Sequence, residues 1–105
     1  MEDRDYLILL YDYYGDLFNE KQREYFESYY FLNLSLSEIG NNLNISRNAV
    51  HKVIQGMEEK LYFYEKKLGM VQTNREICDI IKNENNIDKL KQQLERIVQG
   101  DEIRG

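Results

Sequence analysis

A regularly spaced series of apolar residues dominates the middle of the chain. Successive members lie four, three, four, three and four positions apart, and they are Val50, Ile54, Met57, Leu61, Tyr64 and Leu68. This spacing keeps them on one face of an α-helix, which Ser46 can cap and Gly69 can end. The series predicts a helix of roughly 22 residues, about 33 Å long. A minimal recognition helix is shorter, so the second half of this helix must pack on something else.

The composition favours more helices with few interruptions. The 105 residues include no Pro and only six Gly, and Glu, Lys, Leu, Ile and Asn are abundant. Because Pro and Gly are the residues that most strongly interrupt helices, we expect an all-α fold. The length fits one core, and we expect residues 1–105 to form a single helical domain.

Two further helices are expected before position 35. The first should cover about residues 4–14 and stop at Gly15. Asn19 and Gln22 form a capping-box pattern that starts the second. Helical spacing predicts the core-facing residues of both. They are Tyr6, Leu9, Leu10, Tyr13 and Leu17 in the first helix, and Tyr25, Phe26, Tyr29, Tyr30 and Leu32 in the second.

Residues 35–55 have the pattern of a helix-turn-helix unit. Ser35 begins another capping-box pattern. Gly40 supplies the small residue needed where two helices cross, and Asn44 tolerates the left-handed backbone conformation of the turn. Apolar residues flank both positions, and they are Ile39, Leu43, Ile45, Val50, and either Val53 or Ile54. Because several independent requirements are met in one register, the segment predicts a helix-turn-helix.

Residues 73–100 are expected to form two C-terminal helices. Thr73 and Glu76 form a capping-box pattern before Ile77, Ile80 and Ile81, and the polar residues 83–86 end this helix. Apolar residues of the last helix recur at heptad positions, and they are Ile87, Leu90, Leu94 and Ile97. About two heptads are fewer than a free-standing coiled coil needs. A homodimer seam and a simple docking face both fit this pattern.

Catalytic, metal and membrane classes find no positive support in the sequence. The single Cys78 cannot form an internal disulfide, no Cys/His metal framework is present, and His51 stands alone. We expect Cys78 to be a buried thiol in a reducing cytosol. The aliphatic run at 7–10 is too short for a membrane span and follows an acidic stretch, unlike a signal peptide. We therefore expect a cytoplasmic protein that is not an enzyme and binds no cofactor or metal.

The charge distribution bears on nucleic-acid binding. A net charge of −5 argues against a protein whose main role is to grip phosphates, since non-specific affinity comes largely from clustered Lys and Arg. Most of the acid lies early, because residues 1–34 carry three basic and eight acidic side chains, whereas residues 35–56 carry two and one. The helix-turn-helix segment is therefore mildly positive.

The start of the long helix supplies the candidate DNA-binding residues. If this helix enters a major groove, its exposed N-terminal residues face the base edges. They are Ser46, Arg47, Asn48, His51, Lys52 and Gln55. Arg47 suits guanine and Asn48 suits adenine. The alternative is that all six are ordinary solvated residues on a helix that serves packing, and the local sequence leaves both interpretations open.

Five sequence blocks together resemble the YlxM family of small bacterial proteins. They are Leu-Tyr-Asp-Tyr-Tyr-Gly at 10–15, Glu-Lys-Gln-Arg-Glu-Tyr at 20–25, Leu-Ser-Leu-Ser-Glu-Ile at 34–39, Ser-Arg-Asn-Ala-Val at 46–50 and Tyr-Glu-Lys-Lys-Leu-Gly at 64–69. The resemblance covers roughly residues 5–70. It implies an all-α, wingless helix-turn-helix domain like sigma-factor region 4, with a long fourth helix and a C-terminal helical extension.

The resemblance also implies a function. Genes of this family lie beside those for the signal recognition particle protein and its receptor, so a DNA-binding regulator linked to that pathway is expected, and family members look dimeric. The alternative is an accessory protein that binds the signal recognition particle protein or its RNA without sequence-specific DNA binding. A helical interaction module with an acidic surface is the third hypothesis. This chain departs from its relatives at Asn44-Ile45, where they tend to carry Gly-Val, and at Gln55-Gly56, where they tend to carry basic residues.

Overall fold

Every element in the described part of the chain is helical. The computed structural model describes the backbone of residues 3–104 and the side chains of residues 3–100. The elements are α1 (Asp3–Tyr14), a 3-10 turn (Gly15–Leu17), α2 (Glu20–Tyr30), α3 (Leu36–Leu43), α4 (Arg47–Leu68), α5 (Met70–Asn83) and α6 (Ile87–Arg104). The predicted all-α fold is confirmed. The chain divides into two compact units between Leu68 and Gly69.

The long helix α4 provides the surface on which the first unit is built. Helices α1, α2 and α3 each pack against it. Its buried residues are Val50, Ile54, Met57 and Leu61, and full burial of an aliphatic side chain contributes about 1.5–3 kcal/mol. The predicted stripe is wrong at its end, where Leu68 is 56% exposed. Leu68 is the last residue of both α4 and this unit, so no later turn of the unit covers it.

An aromatic column joins α1 to α2. The ring of Tyr11 stacks on Phe26 with 4.1 Å between centroids, and Phe26 stacks on Tyr30 at 4.4 Å. Phe26 has no exposed surface, and Tyr11 and Tyr30 are each only 6% exposed. Aromatic pairs in this geometry add about 0.5–1.5 kcal/mol beyond their burial. The column therefore fixes how the first two helices meet.

The buried face of α1 differs from the prediction. Its buried residues are Leu7, Leu10, Tyr11 and Tyr14, whereas Tyr6, Leu9 and Tyr13 are half-buried and Leu17 is exposed. The rotation has a physical reason, because it lets two tyrosines bury their rings and hydrogen-bond their hydroxyls at the edge of the core. Tyr11 donates to Glu27 Oε2 and Tyr14 to Glu65 Oε1, both at 2.6 Å.

The exposed end of α2 is a second difference. Tyr25, Phe26 and Tyr30 are buried as predicted, but Tyr29 is half-buried and Leu32 is 66% exposed. The helix ends at Tyr30, so Leu32 no longer follows the helical spacing on which the prediction rested. The Tyr30 hydroxyl donates to Glu58 of α4. Burial and this hydrogen bond raise the pKa of Tyr30 above its ordinary value.

The hydrogen bond between Tyr11 and Glu27 predicts that the folded protein loses stability at alkaline pH. Burial and then the Glu27 bond raise the pKa of Tyr11 from 10.0 to about 12. The unfolded chain loses this proton near its ordinary pKa of about 10, whereas the folded chain retains it. The stability that this difference supplies is complete below that pH and is lost as the pH rises to about 12.

Denaturant unfolding across this pH range checks that expectation. The wild type should lose stability more steeply than Tyr11→Phe, and tyrosine ultraviolet absorbance should show a late-titrating hydroxyl that the variant lacks. Glu27→Gln should move that titration to lower pH. If the wild type and Tyr11→Phe show the same dependence on pH, the assignment is wrong.

The second unit consists of α5 and α6, which pack against each other. Helix α5 begins at Met70, directly after Gly69 with φ of +60°. The Thr73 amide donates to the Gly69 carbonyl, so the predicted start at Thr73 is wrong. A glycine in the left-handed region lets the new helix begin at the next residue. No side chain is needed to cap it, and Thr73 lies in the first turn.

Cys78 is exposed, so its predicted burial is wrong. Ile80 of α5 and Ile97 of α6 line the groove between these two helices, and Ile77 is half-buried. Cys78 lies about 100° around the helix from Ile77, outside that stripe. In α6, Leu90, Leu94 and Ile97 are half-buried and Ile87 is 67% exposed. A homodimer seam along these heptad positions stays a prediction.

Candidate nucleic-acid interface

Close contact at Gly40 sets how α3 meets α4. A Cβ at this position would lie 2.7 Å from the Ile45 carbonyl oxygen and 3.4 Å from the Arg47 amide nitrogen. The Ile45 amide donates to the Gly40 carbonyl at 2.9 Å. Between them, Asn44 adopts the left-handed conformation with φ of 58° and ψ of 40°. The small residue and the left-handed turn that the sequence predicts are therefore both present.

Side-chain caps fix the starts of α3 and α4, the two helices that surround the turn. Ser35 and Glu38 form a reciprocal capping box at the start of α3, with both bonds at 3.1 Å. The Ala49 amide donates to Ser46 Oγ at 3.1 Å at the start of α4. Such caps typically contribute about 1 kcal/mol each. Asn19 and Gln22 cap α2 in the same reciprocal way.

Replacing Gly40 with alanine should destabilise the protein, since the added methyl would meet a backbone carbonyl. We expect a loss of about 1–3 kcal/mol, the range of forced overpacking. Gly56→Ala is the matched control, because no atom lies within 4 Å of its added Cβ. In a helix interior it should stabilise by up to about 1 kcal/mol. Urea unfolding of both variants measures the difference, and equal shifts of one sign would contradict the packing account.

The six candidate DNA-binding residues lie together on the exposed side of α4. Ser46, Arg47, Asn48, His51, Lys52 and Gln55 are all exposed. At about 100° per residue, positions 47–55 cover an arc of about 140°, away from the buried stripe. The Ser46 oxygen already accepts a hydrogen bond from Ala49, so its hydroxyl can still donate. DNA contact by these residues stays a prediction.

The cations of this surface differ from Arg23 in the carboxylates that lie near them. Within the part of the chain that the structure describes, no carboxylate lies within 4.0 Å of Arg47 or Lys52. By contrast, Arg23 pairs with Asp16 at 3.4 Å and Glu27 at 3.7 Å. Because a cation without an ion pair need not break one in order to bind a phosphate or a base, the positive charge at the start of α4 is free for an external ligand.

A groove that sequence reasoning missed adjoins this surface. It lies between the start of α2 and the middle of α4, has a volume of about 400 Å³, and is lined by Lys21, Lys52, Gly56 and Lys60 among others. Lys21 is far from the others in sequence, so only the packing of α2 on α4 reveals the cluster. The one sequence signal was the spacing of Lys52, Gly56 and Lys60, four residues apart on one helix face.

Among the described residues, no three His, Cys, Asp or Glu side chains come together in a way that could hold a metal ion. Over the same part of the chain, no helix combines the length and the hydropathy that a bilayer span needs.

An α3-turn-α4 unit with a left-handed turn residue, a small residue at the helix crossing and an exposed second-helix face defines a helix-turn-helix protein. The sequence matches the UPF0122 family model, described as "Putative helix-turn-helix protein, YlxM / p13 like", over residues 1–100. The chain therefore belongs to this family, and the resemblance seen in the sequence is confirmed.

Individual relatives support the same assignment. The chain is 43% identical over 96 residues to a UPF0122 protein of Thermoanaerobacter sp. (strain X514), which covers 91% of this chain and 77% of that protein. It is 42% identical over 91 residues to a UPF0122 protein of Caldanaerobacter subterraneus subsp. tengcongensis, covering 87% and 73%. A UPF0122 protein of Symbiobacterium thermophilum is 35% identical over 96 residues, covering 91% and 84%.

Proposed function

We propose that this protein is a cytoplasmic regulator that binds duplex DNA with the first two turns of α4 in the major groove. The observation that carries the proposal is the exposed face formed by Arg47, Asn48, His51, Lys52 and Gln55 on the helix-turn-helix unit. The second helix of such a unit is the one that enters the groove. The family of helix-turn-helix proteins to which the chain belongs supports the same reading.

Each residue of this face has a role that follows from its chemistry. Arg47 donates to guanine O6 and N7, and Asn48 pairs with adenine N6 and N7, each contact giving about 1–3 kcal/mol of base discrimination. Lys52 and the Ser46 hydroxyl bind phosphates, which position the protein on the duplex. His51 and Gln55 extend the donor surface by another turn.

A homodimer would give this interface a longer site. Helix-turn-helix dimers read two half-sites about 34 Å apart, and the incompletely covered heptad residues of α6, with Ile87 67% exposed, offer a seam. We propose this arrangement for the regulator. Its DNA site should then be a palindrome with half-sites one helical turn apart.

Arg47→Ala tests the interface. Selection from a random duplex library should first yield the sequence that the wild type prefers. The logarithm of affinity should fall linearly with the logarithm of salt concentration, with a slope of about 0.9 per phosphate contact. Arg47→Ala should lose base discrimination and, if Arg47 also contacts a phosphate, about one such unit of slope. Lys66→Ala is the control, because Lys66 is exposed in the last turn of the same helix.

A salt-insensitive interaction would contradict the proposal. Equal losses of duplex affinity in Arg47→Ala and Lys66→Ala would contradict it as well, since the effect would then depend on net charge and not on the position of the residue.

The net charge of −5 favours a second candidate function. The segment 35–56 contains two basic residues, Arg47 and Lys52. This number is small for a protein that binds DNA. In this candidate the protein is an accessory of the signal recognition particle, binds its protein or its RNA, and uses the helix-turn-helix as a scaffold. A tagged full-length chain should then recover that protein or RNA from its own cell extract, with Arg47→Ala unaffected. Recovery of neither would exclude it.

A further inference from the structure

The groove between α2 and α4 has the chemistry of a phosphate-binding surface. We call it the lysine groove, after Lys21, Lys52 and Lys60, which line it together with Gly56. All three lysines are exposed. Within the described residues, no carboxylate lies within 4.0 Å of any of the three ammonium groups. In a chain with a net charge of −5, three unpaired lysines around one groove are a local concentration of positive charge.

The remaining polar groups at the α2 end of the groove are hydrogen-bond donors as well. Asn19 Oδ1 accepts from the Gln22 amide at 2.8 Å, and Gln22 Oε1 accepts from the Asn19 amide at 3.1 Å. The capping box therefore turns both side-chain oxygens towards the backbone and leaves their NH₂ groups free to donate. Among the described residues, no Asp or Glu lines the groove. Such a wall suits a ligand that accepts hydrogen bonds and carries negative charge.

The two sides of α2 are opposite in charge. Lys21 lines the lysine groove, whereas a neighbouring groove on the same helix is lined by three carboxylates and one cation, Glu20, Glu24, Glu27 and Arg23, and is negative on balance. An anionic polymer is attracted to the first side and repelled by the second. The orientation of α2 on α4 therefore selects which side a phosphate backbone can approach.

The position of Gly56 also supports a ligand-binding role for the lysine groove, because packing does not explain why a glycine stands there. A glycine inside a helix is less favourable than almost any other residue. Packing does not require it here, because an added Cβ would have no atom within 4 Å. Because Gly56 has no side chain, the α4 backbone is left open on this side of the groove, and a ligand can come close to it. Lys52 and Lys60 stand one turn to either side, about 12 Å apart along the helix axis.

We propose that the sugar-phosphate backbone of the bound duplex crosses the lysine groove over Gly56, held by Lys21, Lys52 and Lys60. This inference rests on the proposed function, because the duplex in question is the one that the start of α4 reads. The reach along α4 matches several successive phosphates of one strand, at about 3.4 Å of duplex axis each. Lys52 belongs to both surfaces and joins them.

The test is a fluorescence anisotropy titration of a labelled mixed-sequence duplex, in a series of salt concentrations, with the full-length chain. Lys21→Gln and Lys60→Gln each remove one phosphate contact, so each should lower the magnitude of the salt slope by about 0.9. Between about 50 and 200 mM salt, each variant's affinity should fall about 3-fold less than that of the wild type. Lys66→Gln removes the same charge from the same helix outside the groove, and it should leave the slope unchanged.

Two results would contradict the proposed role of the lysine groove while leaving the proposed function intact. One is an unchanged slope in both Lys21→Gln and Lys60→Gln while Arg47→Ala still loses binding. The other is an equal loss of slope in Lys66→Gln, which would show an effect of net charge. If the wild type binds neither this duplex nor one selected from a random library, the proposed function itself fails.

Gly56→Leu separates binding from folding. Leu favours a helix more than Gly, and among the described residues no atom outside the helix's own backbone would lie within 4 Å of an added Cβ, so the unfolding midpoint should not fall. The leucine side chain would project into the lysine groove and should reduce duplex affinity by about as much as the loss of one lysine. Retained affinity would show that the backbone does not cross Gly56. A lowered midpoint would show that the position serves packing, and either result overturns the inference.

Discussion

The first unit depends on one buried stripe of α4. Val50, Ile54, Met57 and Leu61 are at most 3% exposed, and α1, α2 and α3 all pack on the helix that carries them. Because these residues occupy a single helical face, the opposite face is left to solvent along the whole helix. One helix therefore builds the core and displays the candidate interface, and any change in how it packs would also move that interface.

The angle at which this helix is presented depends on very short backbone contacts. Gly40 lets α3 approach the Ile45 carbonyl to a distance that no Cβ allows, and Asn44 reverses the chain in the left-handed conformation. Ser46 then caps α4. Tyrosine hydroxyls bonded to Glu27, Glu58 and Glu65 tie the outer helices to each other and to α4. Rigid placement of this kind is what a contact surface needs, since recognition is lost when side chains shift by about 1 Å.

Local chemistry made much of this predictable from sequence. The caps at Asn19, Ser35 and Ser46, the small residue at Gly40 and the left-handed Asn44 depend on residues close together in the chain, and all are found where the pattern put them. The face of α1 was missed because tyrosine is both apolar and polar, so spacing alone does not say whether Tyr11 or Tyr13 turns inward. The position of Glu27, across the helix pair, decides it.

Two other features required the three-dimensional arrangement. Cys78 lies beside apolar residues in sequence, yet it is exposed because it lies about 100° around α5 from Ile77, outside the stripe that faces α6. The lysine groove combines residues of α2 and α4 that only tertiary packing brings together. Its place beside Lys52 also bears on the departure at Gln55-Gly56, since Lys60 restores a cation one turn further along the same face.

The most direct test of the central claim is a map of amide chemical shifts by NMR. An isotope-labelled full-length chain would be titrated with the duplex that it selects. The account predicts that the largest changes fall on residues 46–52, with a second group at Lys21, Gly56 and Lys60. Largest changes around Glu24 and Glu27, or unchanged spectra in the presence of saturating duplex, would contradict it.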